Sequence, residues 1–417
     1  MRVIFVTPSE VSSGEAITAL HTAENVRFNG GEVRFLSSAF TARLLKDSFP
    51  EDVTEFTTDA KTNAEIWESS LEQFKPHFVV FADYPLLFFS NGAAPLADDA
   101  WVRNLEEIDA MLVTLDHLGY AQRPMSVYFG PPHLSMHCER TPELPKRMRI
   151  LLPCPLNEPS EVTSRKGTPF RCWHSPSQLT EDQRRATRAL YLQDDGDLLI
   201  FHSAAGWASR FANRMQLPHY RFLTDILEHY LSTLERRVTL VSVNNGTLLA
   251  SSNHANIRVH NLAPLTTDEF ERLLFACDLV ITENSISQTL GKAVCGLTPA
   301  AVLLNSYSLR ELSAVTDEWL RELLFKFEGI KLGSIFPYEV FPIWRREDIE
   351  DLGVFEQNSF AEAFARLELF GGEATREQFA QLLLDEQTRA ELRSRQETYV
   401  NRLSKIDDAY SVLQTLN

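Results

Sequence analysis

Paired cysteines, glycine-rich phosphate loops, long apolar runs and an excess of positive charge are all missing from this 417-residue chain. The five cysteines (Cys138, Cys154, Cys172, Cys277 and Cys295) are odd in number, scattered, and form no CxxC pair, which argues against a disulfide framework and for free thiols in a reducing compartment. No run of about 18 apolar residues occurs, and the opening stretch Met1 to Val6 is too short for a signal-peptide core, so no transmembrane segment and a cytoplasmic location are expected. Lys and Arg number 40 against 57 Asp and Glu, a net charge of −17. Nucleic-acid binding depends on clustered cations that release counterions from phosphates, so no nucleic acid is expected as a partner. The phosphate loop of kinases, the Gly-x-Gly-x-x-Gly turn of dinucleotide enzymes and the Gly-x-Ser-x-Gly elbow of hydrolases are absent as well. His133 and His137 have a spacing that would put both rings on one helical face, but Pro131 and Pro132 precede them and no third ligand is near in sequence, which favours a structural role.

What is present is a rhythm. Val3 to Val6, Val33 to Leu36, Phe78 to Phe81, Ala110 to Leu115 and Arg149 to Leu152 read as strands separated by amphipathic segments, the pattern of βαβ units around a parallel sheet. A second series runs through Leu198 to Phe201, Val238 to Val243, Ile257 to Val259, Leu279 to Ile281 and Ala300 to Leu304. With 44% apolar residues and a length beyond that of one hydrophobic core, the chain is expected to form two doubly wound, Rossmann-like α/β domains facing a cleft. The divisions expected are 1–175, a linker and helix over 176–195, a second domain over 196–388, and helices over 389–417 that cross back to the first. Glu158 to Pro176 is rich in Pro, Ser and charge, and Thr180 with Gln183 reads as a helix-starting capping box.

Residues 256–304 pack strand, loop, helix, strand, polar turn and helix into a short span. The turn Glu283-Asn284-Ser285-Ile286-Ser287, followed by Gln288, sits at a strand C-terminus and opens a helix. Unsatisfied amides and the macrodipole at such a place suit a diphosphate. Ahead of it, His260-Asn261-Leu262-Ala263-Pro264 reads as a loop. Ile200 to Arg210 opens the second series with small residues, Ser203 to Gly206, that let a ligand approach the backbone, and Arg210 and Arg214 offer charge for a leaving diphosphate.

This span resembles the donor half of GT-B glycosyltransferases, in which a strand ending Asp-Leu-Val-Ile-Thr leads into a His-Gly-Gly-x-x-Thr turn, a Glu-Ala helix and Gly-Val-Pro. Thr282, Thr289, Leu290 and Gly296 keep that register; Glu283 stands at the histidine, Asn284 and Ser285 at the glycines, and Gly291 at the ribose-binding acid. The resemblance covers residues 180–417, the region 1–150 matching in rhythm only. It implies a metal-independent transferase that moves a sugar from a nucleoside diphosphate to an acceptor, with the nucleotide-sugar as co-substrate and no other cofactor. Donor contacts are then expected from Ser203, Gly206, Arg210, His260, Leu262, Glu283, Asn284, Ser285, Ile286, Ser287 and Gln288, with Leu262 at the base. No Asp-x-Asp pair adjoins a strand of the first half, which disfavours the metal-dependent glycosyltransferase fold.

Inversion at an anomeric carbon needs a base, which is expected from the first domain. Glu15 and His21 on the first helix, and Asp116-His117 at the end of the strand Ala110 to Leu115, are the candidates; Asp83-Tyr84 closes the strand Phe78 to Ala82. The expected partners are the nucleotide-sugar donor and a small-molecule or natural-product acceptor, with a homodimer left open. Two other readings accompany this one: a non-catalytic GT-B-like binding or activator protein, and a nucleotide-sugar epimerase of the same architecture.

Overall fold

Strand stretches whose every residue is buried need cover on both faces, and Val3 to Thr7, Phe78 to Phe81, Leu198 to His202 and Leu279 to Thr282 are among those that meet that demand. They form the centres of two parallel sheets. The computed structural model describes residues 1–9, 13–85, 87, 104–117, 119, 121, 125–129, 136–140, 143–160, 166–173, 178–204, 219–243, 249–304, 316–328 and 355–416.

The first half runs β1 (Arg2–Thr7), α1 (Gly14–Phe28), β2 (Glu32–Ser37), α2 (Ala39–Leu45), β3 (Val53–Glu55), α3 (Ala60–Phe74), β4 (Phe78–Phe81), β5 (Met111–Leu115), β6 (Met125–Phe129), β7 (Met136–Arg140), β8 (Arg149–Cys154) and β9 (Thr168–Arg171). Its seven-stranded sheet has the order β3-β2-β1-β4-β5-β8-β9 with parallel pairing throughout, while β6 and β7 form a separate antiparallel hairpin. The second half runs α4 (Glu181–Arg188), β10 (Leu198–His202), α5 (His219–Leu231), β11 (Val238–Val243), β12 (Ile257–Leu262), α6 (Thr267–Ala276), β13 (Leu279–Thr282), α7 (Gln288–Cys295), β14 (Ala300–Leu304), α8 (Glu318–Glu328), β15 (Ala365–Glu368), α9 (Glu373–Leu384), α10 (Glu386–Leu403) and α11 (Ala409–Thr415). Its six strands follow the order β12-β11-β10-β13-β14-β15, again all parallel.

Both sheets therefore wind outward in two directions from one place, between β1 and β4 in the first and between β10 and β13 in the second. Ligands of open α/β sheets bind outside the strand C-termini at such switch points. Thr180 and Thr266 open α4 and α6 with complete capping boxes, each hydroxyl bonded to the amide three residues on. The chain then crosses back. On α10, Gln396 is fully buried and donates to the Thr298 carbonyl (2.8 Å), and Arg402 reaches Glu158 (3.2 Å). Arg171 of β9 donates its amide to the Asp407 carbonyl (2.8 Å), and Asn25 of α1 clasps α11 through the Asp408 carboxylate (3.2 Å) and the Tyr410 amide (2.8 Å).

The polar stretch from Glu158 to Pro176 contains β9, which extends the first sheet beside β8. Two sequence expectations change here. His137 falls on β7, so it shares no helical face with His133, which lies outside the described residues. His260, Asn261 and Leu262 are the last residues of β12 rather than a loop, paired with Val241, Ser242 and Val243.

Candidate functional site in the interdomain cleft

The C-terminal ends of the two sheets meet. Gln288, the first residue of α7, donates its side-chain amide to the Thr18 hydroxyl of α1 at 2.9 Å. The same hydroxyl lies 2.8 Å from His117 Nε2, just beyond β5, and His117 Nδ1 faces the Asp83 carboxylate, just beyond β4, at 4.0 Å. Thr18, Asp83 and His117 are 1%, 2% and 5% exposed. One continuous polar chain thus crosses from the second sheet to the floor of the first.

Packing reinforces the junction. A Cβ on Gly291 of α7 would come within 2.9 Å of the Pro155 ring and 3.0 Å of the Trp173 ring, both from the first half. That contact explains why no acid stands at this position. Trp173 also meets the edge of His21 (ring centroids 5.7 Å apart) and lies under Lys292 (5.8 Å). His21 Nδ1 is 2.9 Å from Glu24, and Lys292 pairs with Glu271 at 2.6 Å. His21 is therefore a residue of the domain seam. The carboxylate that faces His117 belongs to Asp83, not to Asp116: the latter is fully buried and accepts the Gly119 amide at 2.7 Å, holding the turn. Glu15 stands in the first turn of α1, partly exposed and one turn ahead of Thr18 on the same face.

On the second sheet, His202 is wholly buried at the end of β10, with Nδ1 3.0 Å from the Ser242 hydroxyl and Nε2 3.0 Å from Glu283 Oε1. Glu283 is the first residue after β13, so this pair spans the switch point. The turn that follows is organised by Asn284. Its carbonyl accepts the Ser287 amide (3.1 Å) and its side-chain oxygen the Ile286 amide (3.1 Å), while Ser287 caps α7 by accepting from Thr289 and Leu290. Two of the amides expected to hold a diphosphate are thereby already used. Among the described residues the Ser285 and Gln288 amides donate to no acceptor, and the Ser285 hydroxyl, on a residue 4% exposed, has no partner. Asn284, Ile286, Ser287 and Gln288 remain partly exposed.

Leu262 and Ile286 pack on one hydrophobic cluster, which places the end of β12 and the turn on the same side of the second sheet. Burial first, and the nearby Arg258 second, hold His260 below the usual imidazole range, so it is neutral at neutral pH. Ser203 is buried after β10 and bonds through its amide to the Ile281 carbonyl (2.9 Å). Gly206 and Arg210 lie outside the described residues. Sequence reasoning missed Thr18 and Trp173: a threonine inside a helix and a tryptophan after a short edge strand carry no local sign of a cleft. Among the described residues no three His, Cys, Asp or Glu side chains gather as a metal site would need, and no described helix is long and apolar enough to cross a membrane.

Solved structures share this architecture. The spinosyn forosaminyltransferase SpnP matches at a TM-score of 0.54 and 13% identity, over 100% of this chain and 98% of its own. The glycosyltransferase VinC in complex with dTDP matches at 0.53 and 13%, with the same coverage. Anabaena HepE in complex with UDP-glucose matches at 0.52 and 12%, over 100% and 98%. The fold is that of the GT-B enzymes: two Rossmann-like halves and a C-terminal crossover helix. No curated protein matches the chain by sequence. The model of a family of unknown function, DUF6365, matches residues 22–416, and this chain, with its two sheets and the cleft between them, belongs to that family.

Proposed function

We propose that the chain is a metal-independent glycosyltransferase that moves a sugar from a nucleoside diphosphate to a hydroxyl of a small-molecule or natural-product acceptor. One observation carries the reading: the switch points of both sheets open on the same cleft, and a turn with unsatisfied amides on one side is joined to a histidine and carboxylate on the other. The nucleotide lies along the end of β12, near His260 and Leu262. Its diphosphate takes the Ser285 and Gln288 amides and the Ser285 hydroxyl, at the positive end of α7. Glu283, steadied by His202, accepts hydrogen bonds from sugar hydroxyls. His117, with Asp83 behind it, takes the acceptor proton, and Glu15 is the second candidate for that task. The complexes of VinC with dTDP and of HepE with UDP-glucose favour UDP or dTDP as the carrier. A cytoplasmic location fits such a donor.

The test is turnover. Purified protein with UDP- and dTDP-hexoses and a panel of hydroxylated acceptors is expected to yield a glycosylated product by mass spectrometry. His117→Gln should lower the rate about 100-fold or more, the usual contribution of a positioned base, while nucleotide binding persists. One observation favours a second reading, a non-catalytic binding protein: Asn284 closes two amides of the turn from within. Nucleotide binding without turnover of any donor would support it.

A further inference from the structure

Thr18 carries three polar neighbours on one hydroxyl. Gln288 can only donate to it (2.9 Å), the Gly14 carbonyl can only accept from it (3.2 Å), and His117 Nε2 can do either (2.8 Å). A hydroxyl has one proton and two lone pairs. With His117 neutral, a proton on Nδ1 faces the Asp83 carboxylate attractively, whereas a lone pair there would face it with repulsion. The ring then presents its lone pair at Nε2, and Thr18 donates into it while accepting from Gln288. When His117 is protonated, Nε2 becomes a donor, and the Thr18 proton has the Gly14 carbonyl to turn to. Nε2 thus keeps a hydrogen-bond partner in both protonation states of His117 without movement of any heavy atom.

We propose that Thr18 relays the acceptor proton to His117, and that Gln288 occupies the relay's entrance until the donor draws it away. The inference rests on the reading of His117 as the base. In the step, the acceptor O–H bond breaks and its proton joins the Thr18 oxygen, as Thr18's own proton passes to Nε2. The acceptor oxygen meanwhile bonds to the anomeric carbon as the bond from that carbon to the diphosphate breaks, and the electron pair leaves with the nucleotide. Gln288 lies on the donor side of the cleft, beside the amides assigned to the diphosphate. Its N–H fills the lone pair of Thr18 that an acceptor hydroxyl must reach, and Thr18 and His117 are only 1% and 5% exposed. A donor that hydrogen-bonds the Gln288 amide opens that approach.

Two kinds of readout separate this relay from the broader reading. In protein labelled with 15N histidine, the His117 signal, identified by its loss in His117→Gln, is expected to show the Nδ1–H form in wild type. Thr18→Val, which keeps the shape and removes the hydroxyl, should move that signal, and Thr18→Ser should restore it. Neither result needs turnover. In steady state, Thr18→Val is expected to lower kcat about tenfold or more with KM for the donor within about twofold, and Thr18→Ser to recover most of the loss. Gln288→Leu should raise donor hydrolysis by water relative to transfer. An unmoved His117 signal in Thr18→Val, or unchanged kcat in that variant, overturns the relay. An unchanged ratio of hydrolysis to transfer overturns the part given to Gln288. A wild type with no turnover removes the base on which the relay rests, even where the imidazole signals behave as described.

Discussion

At the scale of single residues, the seam between the halves depends on what is small as much as on what bonds. Gly291 is the clearest case, since the Pro155 and Trp173 rings occupy the space of its missing side chain. Gly291→Ala is therefore expected to cost about 1–3 kcal/mol, the usual range for overpacking a filled site. Thermal unfolding should show this as a fall of about 2–4 °C for each kcal/mol in a domain of this size. An unchanged midpoint would mean that the seam gives way freely. Glutamate at 291 should be worse, which accounts for the loss of the acid that the motif resemblance leads one to expect there. The buried cysteines speak for quiet thiols: burial pushes Cys172 up to about 12, so it is no nucleophile at neutral pH.

Among the elements, α11 is held by few bonds, and one of them titrates. Burial raises the Asp408 pKa, but hydrogen bonds from the Ser411 amide and hydroxyl and from Asn25, with Arg171 nearby, outweigh it, and the carboxyl ends below its usual range. A depressed folded-state pKa stabilises the fold above the unfolded value, and that stability is lost as pH falls through the folded one. Wild type should then lose protection of the α11 amides in hydrogen exchange as the solution is acidified below about pH 4, the ordinary carboxylate range. Asp408→Asn should show weaker protection at neutral pH and no such acid-dependent step. Equal profiles for the two proteins would contradict this role.

The same scale shows what the sequence could disclose. β1, β4, β10 and β13 are legible because double-sided burial writes an uninterrupted apolar run. β3, β9 and β15 are three or four residues long, mixed in polarity, and lie at or near sheet edges, so they pass for connectors. The turn at 283–287 could be found because it follows a buried strand directly and opens a helix, and position alone marks it. The partner of His117 could not. Asp83 is distant in sequence and becomes its neighbour only because β4 pairs with β5, whereas Asp116, adjacent in the chain, is turned away to cap Gly119. Thr18 was hidden for a related reason, its importance arising from a helix of the other half.

On the scale of the whole molecule, two sheets with facing switch points and a crossover helix describe an architecture that serves many chemistries, and the choice among them rests on the site. The site here departs from the resembling motif at the paired glycines and at the ribose acid, and each departure has a physical counterpart. Asn284 uses its own carbonyl and side chain to build the turn, and Gly291 accommodates Trp173. What remains is a helix opening at which the Ser285 and Gln288 amides donate to no acceptor among the described residues, and binding of a diphosphate there is the central claim. The most direct measurement is the melting temperature of wild type and Ser287→Asp over a titration with UDP, dTDP and GDP. Aspartate caps a helix as well as serine does, so the variant should fold normally while placing a negative charge at the anion site. Ligand near 100 times its dissociation constant adds about 2.7 kcal/mol. The account predicts a saturable rise of the wild-type midpoint with at least one of these nucleotides and none with Ser287→Asp. Equal responses of the two proteins, or no response of the wild type to any of the three, would contradict it.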